Sequence, residues 1–199
     1  VIGYSGHAFV VLGILQAMGK TVSGYCDVEE KAFNPFNLPY IGAETAAASL
    51  ALLQQHDFFI AVGDNQIRKK VYAEQAAKNL YPVNAVHPSA VIDASVTMAK
   101  HAVMIAANVT INPLASVGIG AICNTGCVIE HECIIGDFAH IGPGAVLCGN
   151  VKIANAAFVG AGAVIKQGIS IGENAVIGAG AVVVKDVQDN VTVVGVPAK

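Results

Sequence analysis

Glu130-His131-Glu132 is the densest group of titratable side chains in a stretch of chain otherwise nearly free of charge. A histidine beside carboxylates can take a proton from a nucleophile near neutral pH, because an adjacent anion favours the imidazolium that results. A solvated acidic cluster on a turn is the alternative reading of the same triplet. A second set of residues suits anion binding. Gly3-Tyr4-Ser5-Gly6-His7 stands between a short apolar start and a long apolar run, where a strand-turn-helix aims free backbone N–H groups and a helix dipole at a phosphate. A tight turn that needs glycine only for its conformation fits equally. Asp27 falls about twenty residues later, where an acid can accept from a ribose hydroxyl or a base N–H. Gly63-Asp64-Asn65 would end a further strand on the same edge. Arg68-Lys69-Lys70 reads as a solvated helix face in preference to a phosphate contact.

The five cysteines, Cys26, Cys123, Cys127, Cys133 and Cys148, are odd in number and lack paired C-x-x-C spacing, which predicts reduced thiols and no metal site. Cys127 and Cys133 read as packing residues. The 199 residues carry 11 Lys and Arg against 14 Asp and Glu, a net charge of -3, so no basic field is available for nucleic acid. Charged residues make up 13% of the chain and hydrophobic ones 54%, with a mean hydropathy of +0.60. Soluble domains carry roughly 25% charge, so disorder is excluded and unusually little exposed surface is implied. Residues 102–129 are uncharged, but Asn108, Thr110, Asn112, Pro113, Asn124 and Thr125 interrupt them, which excludes membrane insertion as a spanning helix. Ala8 to Gly19 lacks the basic start and cleavage site of a signal peptide, so the expected location is cytoplasmic. Val1 and Ile2, with no methionine, predict that a few residues of a first strand precede them.

A period of six organises the second half. Stepping by six from Ile105 gives Ile111, Val117, Cys123, Ile129, Ile135, Ile141, Leu147, Ile153, Val159, Ile165, Ile171, Ile177 and Val183, so thirteen of fourteen positions are aliphatic. Four residues after most of them stands a small residue, as at Ala115, Ala121, Cys127, Cys133, Ala139 and Ala145. Neither a helix nor an alternating strand has this period. A short strand and a tight corner repeated every six residues do, and three such faces close a triangular coil, the left-handed parallel β-helix. Val86, Ile92 and Met98 continue the pattern one residue out of phase, which predicts an extra corner residue between Met98 and Ile105. His131 and Glu132 fall at a corner, and His140 lies half an eighteen-residue coil later, where it could approach an adjacent subunit. His87 and His101 read as structural or surface residues.

The first eighty residues have another texture. Val1-Ile2, the glycine turn, His7 to Met18 and Thr21 to Tyr25 read as strand, turn, helix, strand. Ala43 to Gln55 and Gln66 to Leu80 read as helices around a buried strand at Phe58 to Val62, and Glu29 to Tyr40 as a flexible connection. The expected organisation is an α/β N-terminal Rossmann-like domain over residues 1–83, followed by the left-handed parallel β-helix over 84–199.

With these residues in place the chain resembles the hexapeptide-repeat acetyltransferases, and among them the nucleotide-sugar and sialic-acid group with an N-terminal α/β domain. The resemblance spans nearly the whole chain. It rests on Gly3-Tyr4-Ser5-Gly6-His7, on the run from Gly63 to Lys70, on Asn124 to Cys133, and on the ending Val194-Gly195-Val196-Pro197-Ala198-Lys199. It is strongest to enzymes that N-acetylate UDP-linked 4-amino-4,6-dideoxy sugars with acetyl-CoA in bacillosamine and glycan biosynthesis. The resemblance implies that His131 is the base and Glu132 its supporting acid. It implies that His140, Gly149, Ala161 and Ala179 lie along acetyl-CoA, and that Ser5, Gly6, His7, Asp27 and Gly63 hold the nucleotide sugar. Ala8 stands where the family usually has glycine, and Val28 where it often has a second aspartate.

The expected activity is therefore direct acetyl transfer to the 4-amino group of a UDP-linked sugar, without a covalent enzyme intermediate. The expected assembly is a homotrimer, because flat aliphatic-backed faces with little charge would leave a monomer exposing apolar surface. Acting on sialic acid as an O-acetyltransferase, or on GDP-perosamine as an N-acetyltransferase, would use the same fold. A non-catalytic nucleotide-sugar-binding protein would need the first domain but not His131.

Overall fold

The structure, a computed structural model, describes residues 1–199. Hexad by hexad, two-residue strands stack into three parallel sheets of six, five and seven strands. Through most of the coil each strand pairs with the one eighteen residues away, as Val128 with Val146 and Ile129 with Leu147. The aliphatic member of every hexad from Ile105 to Val183 is buried and fills the coil interior, and the small residues Ala115, Ala121, Cys127 and Cys133 lie beside it without exposure beyond 1%. A continuous interior of this kind has no room for polar side chains, which accounts for the low charge. In the first coil the pairing offset is nineteen residues, from Met104 it is eighteen, and at the last coil, where Val176 pairs with Thr192, it falls to sixteen. The additional residue lies between Met98 and Met104, where Ala102 adopts φ 63°.

Ahead of the coil, α1 (Gly6–Ala17), α2 (Ala47–Gln55) and α3 (Asn65–Ala76) surround a small parallel sheet. Its order is Tyr40–Gly42, Tyr25–Cys26, Ile2, Ile60. The apolar segment from Phe58 to Val62 contributes a single bridging residue where a full strand was expected. The stretch read as a flexible connection ends in the strand Tyr40–Gly42 and is pinned at Asn34. The Asn34 side chain accepts from Tyr4 Oη at 2.6 Å and bonds Leu38 through both its oxygen and its nitrogen. Side-chain hydrogen bonds inside a loop leave few spacing signals in sequence, so this order is invisible to periodicity.

α1 lies on the seven-stranded sheet. The outward residues Ala85, Met104 and Ile122 of that sheet are buried, and one hydrophobic core joins Val11, Leu12 and Leu15 to the coil interior. Burying side chains such as Met104 and Ile122 stabilises the fold by about 1.5–3 kcal/mol each. The six-stranded sheet turns Val128, Val146, Val164 and Val182 outward, half-buried in the single chain. No helix is long and apolar enough to cross a membrane.

α3 is docked on one corner of the coil through polar contacts. Asn65 Nδ2 donates to the carbonyls of Ala156 and Ala157, and Gln66 Nε2 donates to Asn174 Oδ1. Between them and the coil lies Arg68, 1% exposed. The expectation of a solvated basic face holds for Lys69 and Lys70, which are exposed, and fails for Arg68. Its guanidinium donates to the carbonyls of Gly120, Val62, Gly63 and Phe138 and to Asn65 Oδ1, at 2.8 to 3.1 Å. All five N–H groups of the side chain are thereby used. Corner carbonyls left over where the chain turns through Gly120 (φ 63°) and Phe138 (φ 56°) are what make a buried cation without a carboxylate partner tolerable.

Candidate functional site

Three corners separate the three sheets, and the coil's proposed site residues other than His140 are divided between two of them. His131 and Glu132 form the corner between the six- and five-stranded sheets. Glu132 occupies the left-handed region at φ 60°, so the corner itself swings its carboxylate back to the preceding side chain. His131 Nδ1 lies 3.0 Å from Glu132 Oε2. The carboxylate accepts the Nδ1 proton, which leaves the Nε2 lone pair for a substrate proton. Both side chains are about half exposed in the single chain, 49% and 58%. One coil further along the same corner stands Gly149. A Cβ there would lie 2.5 Å from His131 Cε1 and Nε2, so the ring rests on bare glycine backbone. The family resemblance implies a coenzyme contact for Gly149, and its own geometry supplies a different reason for glycine.

The corner between the seven- and six-stranded sheets carries Thr125, Pro143, Ala161 and Ala179 one coil apart, as the bonds from Gly144 to Thr125, Gly162 to Pro143 and Gly180 to Ala161 show. Thr125, Ala161 and Ala179 are exposed, and the four short side chains form a shallow strip that a thin, flexible chain could follow. Asn124 heads it. Nothing singled out Asn124 in the sequence beyond its place in a longer run. In the structure its Oδ1 accepts from the Thr125 N–H at 2.8 Å, and its Nδ2 faces His140 Nε2 at 3.2 Å.

His140 is 7% exposed. It packs against its own chain's α/β region. Its Nδ1 meets the Gly63 carbonyl at 3.3 Å, the His7 ring lies 6.0 Å away, and Phe158 sits edge-on at 5.1 Å. Burial, the Arg68 charge and then His7 push the His140 pKa down to about 4. Burial, then Arg68, does the same for His7. His7 Nε2 is buried without a partner. Both rings are thus neutral in the folded protein, whereas each titrates near 6.5 once unfolded. Between about pH 6.5 and 4 the unfolded chain binds more protons than the folded one, so acidification destabilises the protein. The expected loss is on the order of 2 kcal/mol per ring at pH 4.5. Urea denaturation at pH 7 and 4.5 measures it, and a His7→Asn/His140→Gln protein should show a shallower dependence.

At the carboxyl ends of the small sheet, Gly3, Tyr4, Ser5, Asp27, Val28 and Glu44 line a cavity of about 170 Å³. Asp27 is mostly buried, and its carboxylate stitches the glycine turn in place. Oδ2 accepts from the Tyr4 N–H at 3.0 Å and Oδ1 from the Val28 N–H at 2.8 Å, with Lys31 Nζ 3.2 Å from Oδ1. Ser5 and Gly6 are exposed at the start of α1, whose first-turn N–H groups are open to an anion. Gly63 approaches the His7 ring closely, since a Cβ on it would lie 3.3 Å from His7 Cγ. Asp64 caps α3 by accepting from the Ile67 N–H at 2.8 Å, and Asn65 binds the coil. Of the triplet Gly63-Asp64-Asn65, then, only Gly63 joins His7 and His140. A larger cavity of about 460 Å³, lined by residues such as Leu15, Met18, Cys26 and Phe58, lies at the opposite ends of the strands and touches none of these groups.

His87 bonds Ser89 and His101 stacks on Tyr81, both structural arrangements. Cys127 and Cys133 are fully buried and Cys148 is partly exposed, all as free thiols.

Residues 1–75 match the family described as PglD N-terminal domain, and residues 150–185 match the bacterial transferase hexapeptide (six repeats). Perosamine N-acetyltransferase from Caulobacter crescentus, solved as a His-to-Asn variant with CoA and GDP-perosamine, is 38% identical. That similarity covers 100% of this chain and 93% of the other, with a TM-score of 0.92. The acetyltransferase domain of PglB from Neisseria gonorrhoeae, in complex with acetyl coenzyme A, is 31% identical over 100% and 96% of the two chains, with a TM-score of 0.86. WeeI from Acinetobacter baumannii is 25% identical over 100% and 96%, with a TM-score of 0.87.

Proposed function

Because this chain belongs to the hexapeptide-repeat acetyltransferases of the nucleotide-sugar group, with a left-handed β-helix and a PglD N-terminal domain, we propose that it moves an acetyl group from acetyl-CoA to the 4-amino group of a nucleotide-linked 4-amino-4,6-dideoxy sugar. The observation that carries this reading is the His131–Glu132 pair, bonded at 3.0 Å with Nε2 left free on the coil of an acetyltransferase. His131 accepts the amine proton and Glu132 holds its ring in the productive tautomer. Ser5, Gly6, His7, Asp27 and Gly63 surround the nucleotide sugar, with the α1 N-terminus suited to its diphosphate. Acetyl-CoA supplies the acyl group, and the strip of Ala161 and Ala179 below Asn124 and His140 suits its narrow pantetheine arm.

The base and that strip lie at opposite edges of the six-stranded sheet, so one chain cannot bring them together. We therefore propose a homotrimer in which the valine-bearing sheet and its two edges meet neighbouring copies. Contact there would bury the apolar face and withdraw His131 from water, which acyl transfer to an amine in competition with hydrolysis requires. A cytoplasmic enzyme would find both substrates there.

For the nucleotide, the 38% identity to an enzyme crystallised with GDP-perosamine favours GDP, whereas the sequence motifs favour UDP. Thiol release from acetyl-CoA over a panel of GDP-perosamine, a UDP-linked 4-amino-4,6-dideoxy sugar and sialic acid tests the proposal. Turnover is expected with a nucleotide-linked amine and not with sialic acid, in a species whose light scattering gives three chains. Acetylation of sialic acid alone, or binding of the sugars without thiol release, would refute it.

A further inference from the structure

His140 makes two hydrogen bonds, and they agree on where its proton is. The Gly63 carbonyl can only accept, so Nδ1 donates to it. Asn124 has its Oδ1 committed to the Thr125 N–H, so its Nδ2 faces His140 as a donor and Nε2 accepts. The Gly63 oxygen is in turn held from the other side, at 3.0 Å, by Arg68 Nη1. Arg68 grips Val62 on one side of Gly63 and Asn65 on the other, and anchors all of them to the coil at Gly120 and Phe138. We propose that Arg68 is a positioning residue that, through the shared Gly63 carbonyl, locks His140 in the tautomer protonated on Nδ1, so that Nε2 orients the Asn124 carboxamide at the head of the acyl-donor strip. The relevance to catalysis rests on the function proposed above, but the tautomer does not.

The groups around His140 reinforce the lock. A second proton on the ring would face the Arg68 guanidinium of α3 and stand beside His7 of α1. The coil contributes Asn124 and the edge of Phe158, neither of which is charged. Asp64 is the acid that bears on this cluster. It acts on Arg68, whose pKa burial lowers to about 10 while Asp64 opposes the shift, and its carboxylate is engaged at the start of α3. The low pKa of His140 follows from the same arrangement.

Imidazole-¹⁵N-labelled protein read by long-range ¹⁵N–¹H correlation spectroscopy tests this, with His140→Gln identifying the signal. In the unmodified protein His140 should be a single Nδ1–H tautomer from pH 8 down to about pH 5. In Arg68→Met and Arg68→Gln the Gly63 carbonyl loses its anchor and the positive charge is gone. The tautomers should then mix, and the titration midpoint of His140 should rise by one pH unit or more. A wild-type His140 protonated on Nε2, or present as a mixture, overturns the proposal even if both variants fail to fold. An unchanged single tautomer in a folded Arg68 variant overturns it as well. The spectrum does not depend on turnover, so a locked His140 in a protein without acetyltransferase activity would count against the proposed function alone.

Discussion

Replacing His131 with alanine is expected to lower turnover of acetyl-CoA and the amino sugar by roughly 10² to 10⁴, the usual worth of a positioned general base. An alkylammonium has no lone pair, so the acceptor must attack as the neutral amine, and the adduct must shed a proton before the thiolate departs. His131 Nε2 is the atom available for that proton, because Nδ1 is committed to Glu132. The affinity for the nucleotide sugar should change little, since the cavity edged by Gly3, Ser5 and Asp27 belongs to the other half of the chain, so the loss falls on kcat. Glu132→Gln should cost less, because the ring keeps its place on Gly149 and loses only the anion that orients it. Near-full turnover by a folded His131→Ala protein would reduce the histidine to a corner residue.

Gly149→Ala is expected to cost about 10²-fold in kcat while leaving the fold intact, on the scale of a misplacement of about 1 Å in a catalytic group. The added methyl would lie 2.5 Å from two atoms of the His131 ring, closer than van der Waals contact permits, so the imidazole must swing outward. The backbone of Gly149 has no positive φ, and alanine introduces no conformational strain of its own. Thermal stability should therefore stay near wild type while kcat falls. Because the ring is half exposed in the single chain, it has somewhere to go, which makes displacement the cheaper response than unfolding. A crystal structure of the variant with His131 unmoved and kcat unchanged would show that the close contact carries no catalytic weight. A large rise in KM for acetyl-CoA with kcat preserved would instead favour the coenzyme contact that the family resemblance implies.

The coil was legible residue by residue. An apolar side chain every sixth position from Ile105 to Val183 encodes its own neighbours, because each strand there pairs with a copy of the same pattern eighteen residues on. The phase slip after Met98 was legible for the same reason. The pairing of His131 with Glu132 followed from adjacency at a corner, where successive side chains need not point to opposite faces. The α/β half was less legible. Its strands are one to three residues long, too short for a period of two to declare itself. Side chains such as Asn34 and Asp27 do the joining there that repeated strands do in the coil.

Contacts between the halves could not be read from spacing at all. Arg68 looks like its neighbours Lys69 and Lys70 in sequence, and only the docking of α3 on the corner carbonyls of Gly120 and Phe138 makes it a buried five-donor clamp. His140 carries an outward strand position that α1 and the Gly63 turn happen to cover, so burial and Arg68, not the residue type, set its protonation. Gly149 lies eighteen residues from His131, a distance that becomes contact only once the coil has closed a full turn. The pattern along the chain thus specified a repeating scaffold and a histidine with its acid. Packing of non-repeating parts against that scaffold decided which charges are buried and which side chains meet across the two halves.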